Sequence, residues 1–202
     1  MLQLLAIMIL FPLSTNAGSG GLYSYRVSHD SRVTINGKTN ISTFSCVTEG
    51  GMERGNIVAD LQPGGEGIIY SGARLDLRVD AFDCGRKGMN RDFYQAMGGD
   101  QSPYIQIVLL ETRPAETPGN VGVDIIAEVL ITINGVRKTT EVAIYMSQSH
   151  DLRFMIEGSK ELLMSEFNID PPSPVMGIIR VSDEIIIDFN MVIEANLISQ
   201  NE

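Results

Sequence analysis

The dipeptide Asn134-Gly135, set between two runs of β-branched residues, constrains this chain more than any other feature. Asn-Gly tolerates positive φ at both central positions of a type I′ turn, the turn whose twist suits a two-residue hairpin. Residues 127–146 are therefore expected to form a hairpin in which Ile133 faces Val136. Side chains alternate along a strand, so that register puts Ile125, Ala127, Val129 and Ile131 on one face with Val142, Ile144 and Met146. Glu128, Thr132, Arg137 and Glu141 fall on the other face. Three features fit this pattern badly. Leu130 lies on the polar side, Lys138 and Thr140 lie on the apolar side, and Glu128 stands opposite Glu141 at a cost of roughly a few tenths of a kcal/mol.

The same two-residue period recurs along the chain. It marks strands at 22–27, 32–35, 39–47, 56–61, 74–81, 104–109, 153–164 and 184–194, with Gly158 placed to allow a bend or bulge. Thr-Ile-Asn-Gly occurs twice, at 34–37 and 132–135, and both copies read as turns, which predicts a second hairpin turning at Asn36-Gly37. One segment changes period: Asn90 caps a short helix through residues 92–97, which Gly98-Gly99 ends. About eight strands joined by turns, without βαβ spacing, predict an all-β fold, a single antiparallel, roughly eight-stranded barrel with one short helix. Such a barrel holds either packed side chains or one small ligand.

Residues 2–13 are almost wholly apolar, and Ser14-Thr15-Asn16-Ala17 follows. This is the core and cleavage region of a signal peptide, too short to span a membrane, with cleavage expected after Ala17; the rival reading is a buried first strand. The domain division is then a signal peptide at 1–17 and one barrel domain at 18–202, with a periplasmic or secreted location and no stable membrane insertion. In an oxidising compartment Cys46 and Cys84 form a disulfide closing a loop of about 38 residues, worth roughly 4 kcal/mol in the entropic model; the alternative is two buried thiols. The 202 residues are 44% hydrophobic and carry a formal net charge of −10, enough for one sizeable core and adverse to nucleic acid or anionic lipid surfaces as partners.

Catalytic groups are sparse. His29 and His150 are the chain's two imidazoles, each beside an Asp in an expected turn. Asp80, Asp83, Asp183, Glu184 and Asp188 read as solvated strand ends and polar faces, and neither a metal-ligand spacing nor a nucleophile elbow occurs. No catalytic or metal residue is assigned, and Asn40-Ile41-Ser42 is formally a glycosylation triplet. The apolar face, in contrast, is continuous and rich in methionine, including Met146, Met155, Met164 and Met191, whose flexible thioethers suit either an adaptable cavity or ordinary core.

Several segments resemble the YceI-like family when taken together. They are the run 32–46 with its Gly-centred small polar stretch leading to Phe44, and Met89-Asn90-Arg91-Asp92-Phe93-Tyr94 followed by Ser102-Pro103-Tyr104-Ile105. The hairpin 130–138, the stretch 164–172 and the closing strand 181–193 complete the match, which covers about residues 22–195. The Gly-rich linker 49–72 and Asn134 depart from the family pattern. The resemblance implies an exported, lipocalin-like barrel that binds a polyisoprenoid or quinone-like lipid in an internal apolar tunnel, with no other cofactor.

Alternation and resemblance together predict a tunnel lined by Ile107, Leu109, Val129, Ile131, Ile144, Phe154, Ile156, Ile187, Phe189 and Met191. The expected function is that of a lipid-binding protein and not an enzyme. A filled-core barrel acting as an envelope interaction or stress-response protein is the alternative. A third reading, an enzyme on a lipid-like substrate, requires a polar cluster near His29 and His150. The oligomeric state is left open, a homodimer included.

Overall fold

The computed structural model describes residues 21–49, 54–61, 67–115, 123–149, 152–173 and 176–200. The expected signal peptide at 1–17 and His150 lie outside them.

The Asn-Gly hairpin forms in the expected register. Asn134 and Gly135 take φ of 50° and 76°, and Ile133 pairs with Val136, Ala127 with Val142 and Ile125 with Ile144. Glu128 does stand opposite Glu141, and the Arg113 guanidinium offsets the repulsion by binding Glu141 at 2.9 Å. This hairpin joins strands β8 (Val123–Ile133) and β9 (Val136–Gln148) of one eleven-stranded antiparallel sheet. The other strands are β1 (Gly21–Val27), β2 (Arg32–Thr39), β3 (Thr43–Glu49), β4 (Arg54–Leu61), β5 (Ile68–Ser71), β6 (Arg74–Arg78), β7 (Tyr104–Pro114), β10 (Arg153–Leu163) and β11 (Val181–Gln200).

Eight strands close a ring in the order β1, β4, β5, β7, β8, β9, β10, β11 and back to β1. The expected barrel is therefore present, with three further strands outside the ring. Two long strands change partners along their length. Strand β11 pairs with β2 through residue 190 and with β1 from residue 193, while β7 pairs with β6 through Val108 and with β5 at Glu111 and Thr112. The half of the barrel nearest the Asn134-Gly135 turn is thus built from β2, β3 and β6, which take the places of β1, β4 and β5.

Three local expectations require correction. The strand expected over 74–81 ends at Arg78, and Val79–Ala81 form a single 3-10 turn. Strand β2 runs straight through Asn36-Gly37, and the hairpin to β3 turns at residues 40–42, where Thr39 Oγ1 accepts from the Ser42 N–H at 2.9 Å. Cross-strand partners hold the Asn-Gly pair extended: Asn36 Nδ2 donates to Asp188 at 2.6 Å, Ser45 Oγ donates to Asn36 Oδ1 at 2.5 Å, and Phe44 covers Gly37. The helix α1 (Lys87–Ala96) begins before Asn90, with Arg86 at its N-cap. Asn90 acts sideways, accepting from the Cys84 N–H at 2.7 Å and donating to Asp83 at 3.0 Å. Gly98 ends the helix as expected, with φ 67°.

The half nearest the hairpin turn is plugged. Val79, Met97 and Phe167 are 1%, 4% and 1% exposed and share one cluster with Phe82, Ile169 and the cystine. Phe82 and Phe93 meet at 5.3 Å between ring centroids. Cys46 and Cys84 are bonded across a separation of 38 residues, beside a bridge pairing Val47 with Asp83. Disulfide and bridge together tie β3 to the segment after β6, where no continuous ladder closes the wall.

Candidate functional site

Inward-facing side chains of a barrel point at one another across the axis, and whether they meet depends on strand number and side-chain size. Here they leave a cavity of about 300 Å³. Its wall runs from Tyr23, Tyr70, Met146 and Phe154 in one half to Phe82, Ile105 and Leu162 above the plug. The interior is therefore hollow over part of its length and solid over the rest.

All ten residues assigned to the tunnel lie on this wall: Ile107 and Leu109 of β7, Val129 and Ile131 of β8, Ile144 of β9, Phe154 and Ile156 of β10, and Ile187, Phe189 and Met191 of β11. Ile107 pairs with Ile131, and Phe154 lies beside Ile193, so neighbouring strands extend a single apolar surface. Gly158 pairs with Phe189, and any side chain at 158 would collide with the Phe189 ring, so the glycine is what lets that ring lie flat against β10.

Sequence reasoning missed the wall's tyrosines and its polar members. Tyr23 and Tyr25 lie on β1 and Tyr70 on the four-residue β5, set in a Gly-rich stretch too short for a period to show. The Tyr70 hydroxyl shares a hydrogen bond of 3.0 Å with Thr112, and burial raises its pKa above the ordinary phenol value, with the Thr112 bond acting in the opposite direction. Thr112 faces inward because β7 shifts register between Leu109 and Glu111, reversing the phase of its alternation. Tyr25 Oη donates to the Arg74 carbonyl at 2.5 Å and joins β1 to the start of β6.

Two cations reach the wall. The Arg74 guanidinium is bound by Asp76 at 2.7 Å. Lys160 donates to the Glu141 main-chain carbonyl at 2.9 Å. Lys138 and Thr140, the polar residues on the hairpin's apolar face, are exposed and half-buried respectively, consistent with the assigned register.

The carboxylates considered as catalytic pairs have structural partners. Asp183 accepts from Ser165 N at 2.8 Å and Oγ at 2.6 Å, while Asp188 holds Asn36. Arg78 holds Asp80 at 2.6 Å, and Asn90 and the Gly85 N–H hold Asp83, so both carboxyls are lowered below their ordinary pKa. His29 is exposed in the turn after β1. Among the described residues no group of three or more His, Cys, Asp or Glu is placed to hold a metal, and no helix is long and apolar enough to cross a membrane.

No family model and no curated protein matches the chain in sequence. Solved structures match it in fold. Burkholderia cenocepacia BcnA aligns with a TM-score of 0.57 at 19% identity, covering 80% of this chain and 95% of that one. A polyisoprenoid-binding domain from Saccharophagus degradans, implicated in plant cell wall breakdown, aligns with a TM-score of 0.60 at 10% identity, covering 86% and 98%. A Campylobacter jejuni YceI protein aligns at 0.47 with 9% identity over 75% of this chain and 84% of that one. The fold implied by the resemblance, a lipocalin-like barrel of the kind found in a polyisoprenoid-binding domain, is the fold observed.

Proposed function

We propose that this chain, with the barrel fold of the polyisoprenoid-binding domain, is an exported carrier that shields one long apolar chain, of isoprenoid type, inside the barrel. The cavity carries this reading: about 300 Å³ of space walled by Ile, Leu, Val, Phe and Met from six strands of the barrel ring. Empty apolar space of this size stays unfavourably hydrated or dry, and filling it with hydrocarbon gains about 25 cal/mol per Å² removed from water. A branched tail suits such a wall because it needs no directed polar contact, and the polar members of the wall already have partners in Thr112, Asp76 and Glu141.

The hollow stretch of the interior also favours this reading over the filled-core alternative, which would require Ile144, Ile156 and Ile187 to pack to closure. They line open space instead. The BcnA and Saccharophagus degradans structures support a barrel of this architecture, and the latter's description as polyisoprenoid-binding supports the ligand class. The apolar segment at 2–13 with the small residues before Gly18 supports the export part of this reading, and the Cys46–Cys84 bond suits an oxidising compartment.

Native mass spectrometry of the purified chain, followed by solvent extraction, tests the carrier reading. An adduct that extracts as a single-chain isoprenoid is expected. A chain that carries no lipid and takes up neither geranylgeraniol nor a longer polyprenol sinks it. Export of residues 1–202 from an expressing cell should yield a mature form beginning at Gly18, read from its intact mass, and an exported protein retaining residues 1–17 would overturn the signal-peptide reading.

A further inference from the structure

The ladder between β9 and β10 stops early. It pairs Phe154 with Gln148 and continues only to Gly158 with Ile144. Beyond that point residues 136–143 remain paired to β8 and residues 159–163 remain paired to β11, yet the two stretches have no ladder with each other. Each lip of the gap is thus held by its own neighbour, while the wall between them lacks backbone hydrogen bonds.

The inward-facing positions on these lips differ from the rest of the wall. Lys138 shares a face with Ile131, its partner on β8, but Ile131 is 5% exposed and Lys138 is exposed. The missing β10 neighbour accounts for the difference. Thr140 follows on the same face, and Lys160 stands on the opposite lip, between the apolar Ile156 and Leu162 positions. An unpaired strand edge leaves carbonyls to satisfy, and Lys160 Nζ caps one of them, that of Glu141, with one of its three donors.

We propose that this gap is a lateral portal through which a single-chain lipid with an anionic head enters, the head resting between Lys138 and Lys160. The inference builds on the carrier function proposed above and specifies the head of its ligand. The chain carries a net charge of −10, and Lys138 and Lys160 set two positive charges on the facing lips of the gap. Neither lysine makes a described ion pair, whereas Arg74, the other cation on the wall, is neutralised by Asp76. The nearest acids in sequence, Glu141 to Lys138 and Glu161 to Lys160, fall on the outer face by strand alternation, and Arg113 holds Glu141. Lysine offers donors and no acceptor, so it selects a phosphate or carboxylate head over a hydroxyl. A cavity of about 300 Å³ lies at the small end of ligand pockets and fits one tail better than two.

The test is a titration, by native mass spectrometry and calorimetry, with geranylgeranyl phosphate and geranylgeraniol, which share a tail and differ in the head. The phosphate is expected to bind about tenfold more tightly, with a preference that shrinks as salt rises. The K138Q/K160Q double variant should bring the ratio of the two affinities close to one, and K138R/K160R should restore it. A wild-type ratio near one, or a ratio that the double variant leaves unchanged, overturns the headgroup site while leaving the carrier function standing. Failure of both compounds to bind overturns both. Inorganic phosphate alone that binds as tightly as geranylgeranyl phosphate also overturns the portal, because the tail would then contribute nothing.

Discussion

The two halves of the barrel are made from the same kinds of strand and end in opposite states. In the half nearest the Asn134-Gly135 turn, α1 and the turn at Met164–Phe167 deliver Met97 and Phe167 into the interior, and the disulfide fixes β3 beside them. In the other half no helix intrudes among the described residues, and the inward side chains of β1, β8, β9, β10 and β11 face open space. Strands with alternating inward apolar side chains build both. A hollow interior therefore arises from what is absent from the lumen, and close packing in the filled half makes it the expected seat of the fold's stability.

That contrast is open to direct attack. Phe167→Ala removes a ring that is 1% exposed from the plugged half, leaving a void that close-packed neighbours cannot fill. It should cost about 3–5 kcal/mol in urea denaturation; a loss below about 1 kcal/mol would show that the plug is not the stable half. Replacing Cys46 and Cys84 together by Ser should cost about 2–4 kcal/mol, with amide exchange accelerating first in β3 and around Asp83. Ile156→Ala acts in the hollow half, where the side chain already borders empty space. It should cost only about 1–2 kcal/mol while weakening uptake of geranylgeraniol, and a loss as large as that of Phe167→Ala would abolish the distinction between halves.

The smallest expected difference is in acid. Asp83, in the plugged half, is lowered below its ordinary value by Asn90 and then the Gly85 N–H; Glu194, on β11 in the other half, is lowered by Arg26. A carboxyl with a depressed folded-state pKa stabilises the fold above its unfolded value, and that contribution disappears as pH falls through the folded value. Asp83 is exposed and Glu194 half-buried among solvent-screened partners, so stability should decline modestly below the ordinary carboxylate range. Asp83→Ala should remove part of that decline together with the hydrogen bond that Asn90 of α1 donates to this carboxylate, whereas Glu194→Gln should remove a part without altering exchange in the plug. Identical exchange profiles in the two variants would dissociate Asp83 from the plug.

Much of the wall was legible because alternation in a strand survives any tertiary context that keeps one face buried. Ile107, Leu109, Val129, Ile131 and Ile144 needed only a period of two and one trustworthy turn. Tyr70 and Thr112 were not legible: one sits on a strand of four residues, the other follows a register shift, and neither leaves a periodic trace. The two Thr-Ile-Asn-Gly copies mark the limit of local reading. At 132–135 the tetrapeptide turns, with positive φ at Asn134 and Gly135; at 34–37 the same four residues continue a strand. Asp188, Ser45 and Phe44 make the difference, and Asp188 lies on β11, a strand that local sequence does not reveal as a neighbour.

By itself, the sequence determined the class of fold, the central register and which faces are apolar, since these depend on side-chain alternation and on φ preferences at single residues. It also placed two cysteines where a bond was feasible. Only the tertiary structure decided which half of the lumen is filled, where Asn-Gly turns and where it does not, and that the β9–β10 ladder ends at Gly158 with Lys138 and Lys160 on its lips. Those outcomes depend on which strands become neighbours around a closed ring. That is a property of the whole chain, set by competition among all its pairings, and no short segment encodes it.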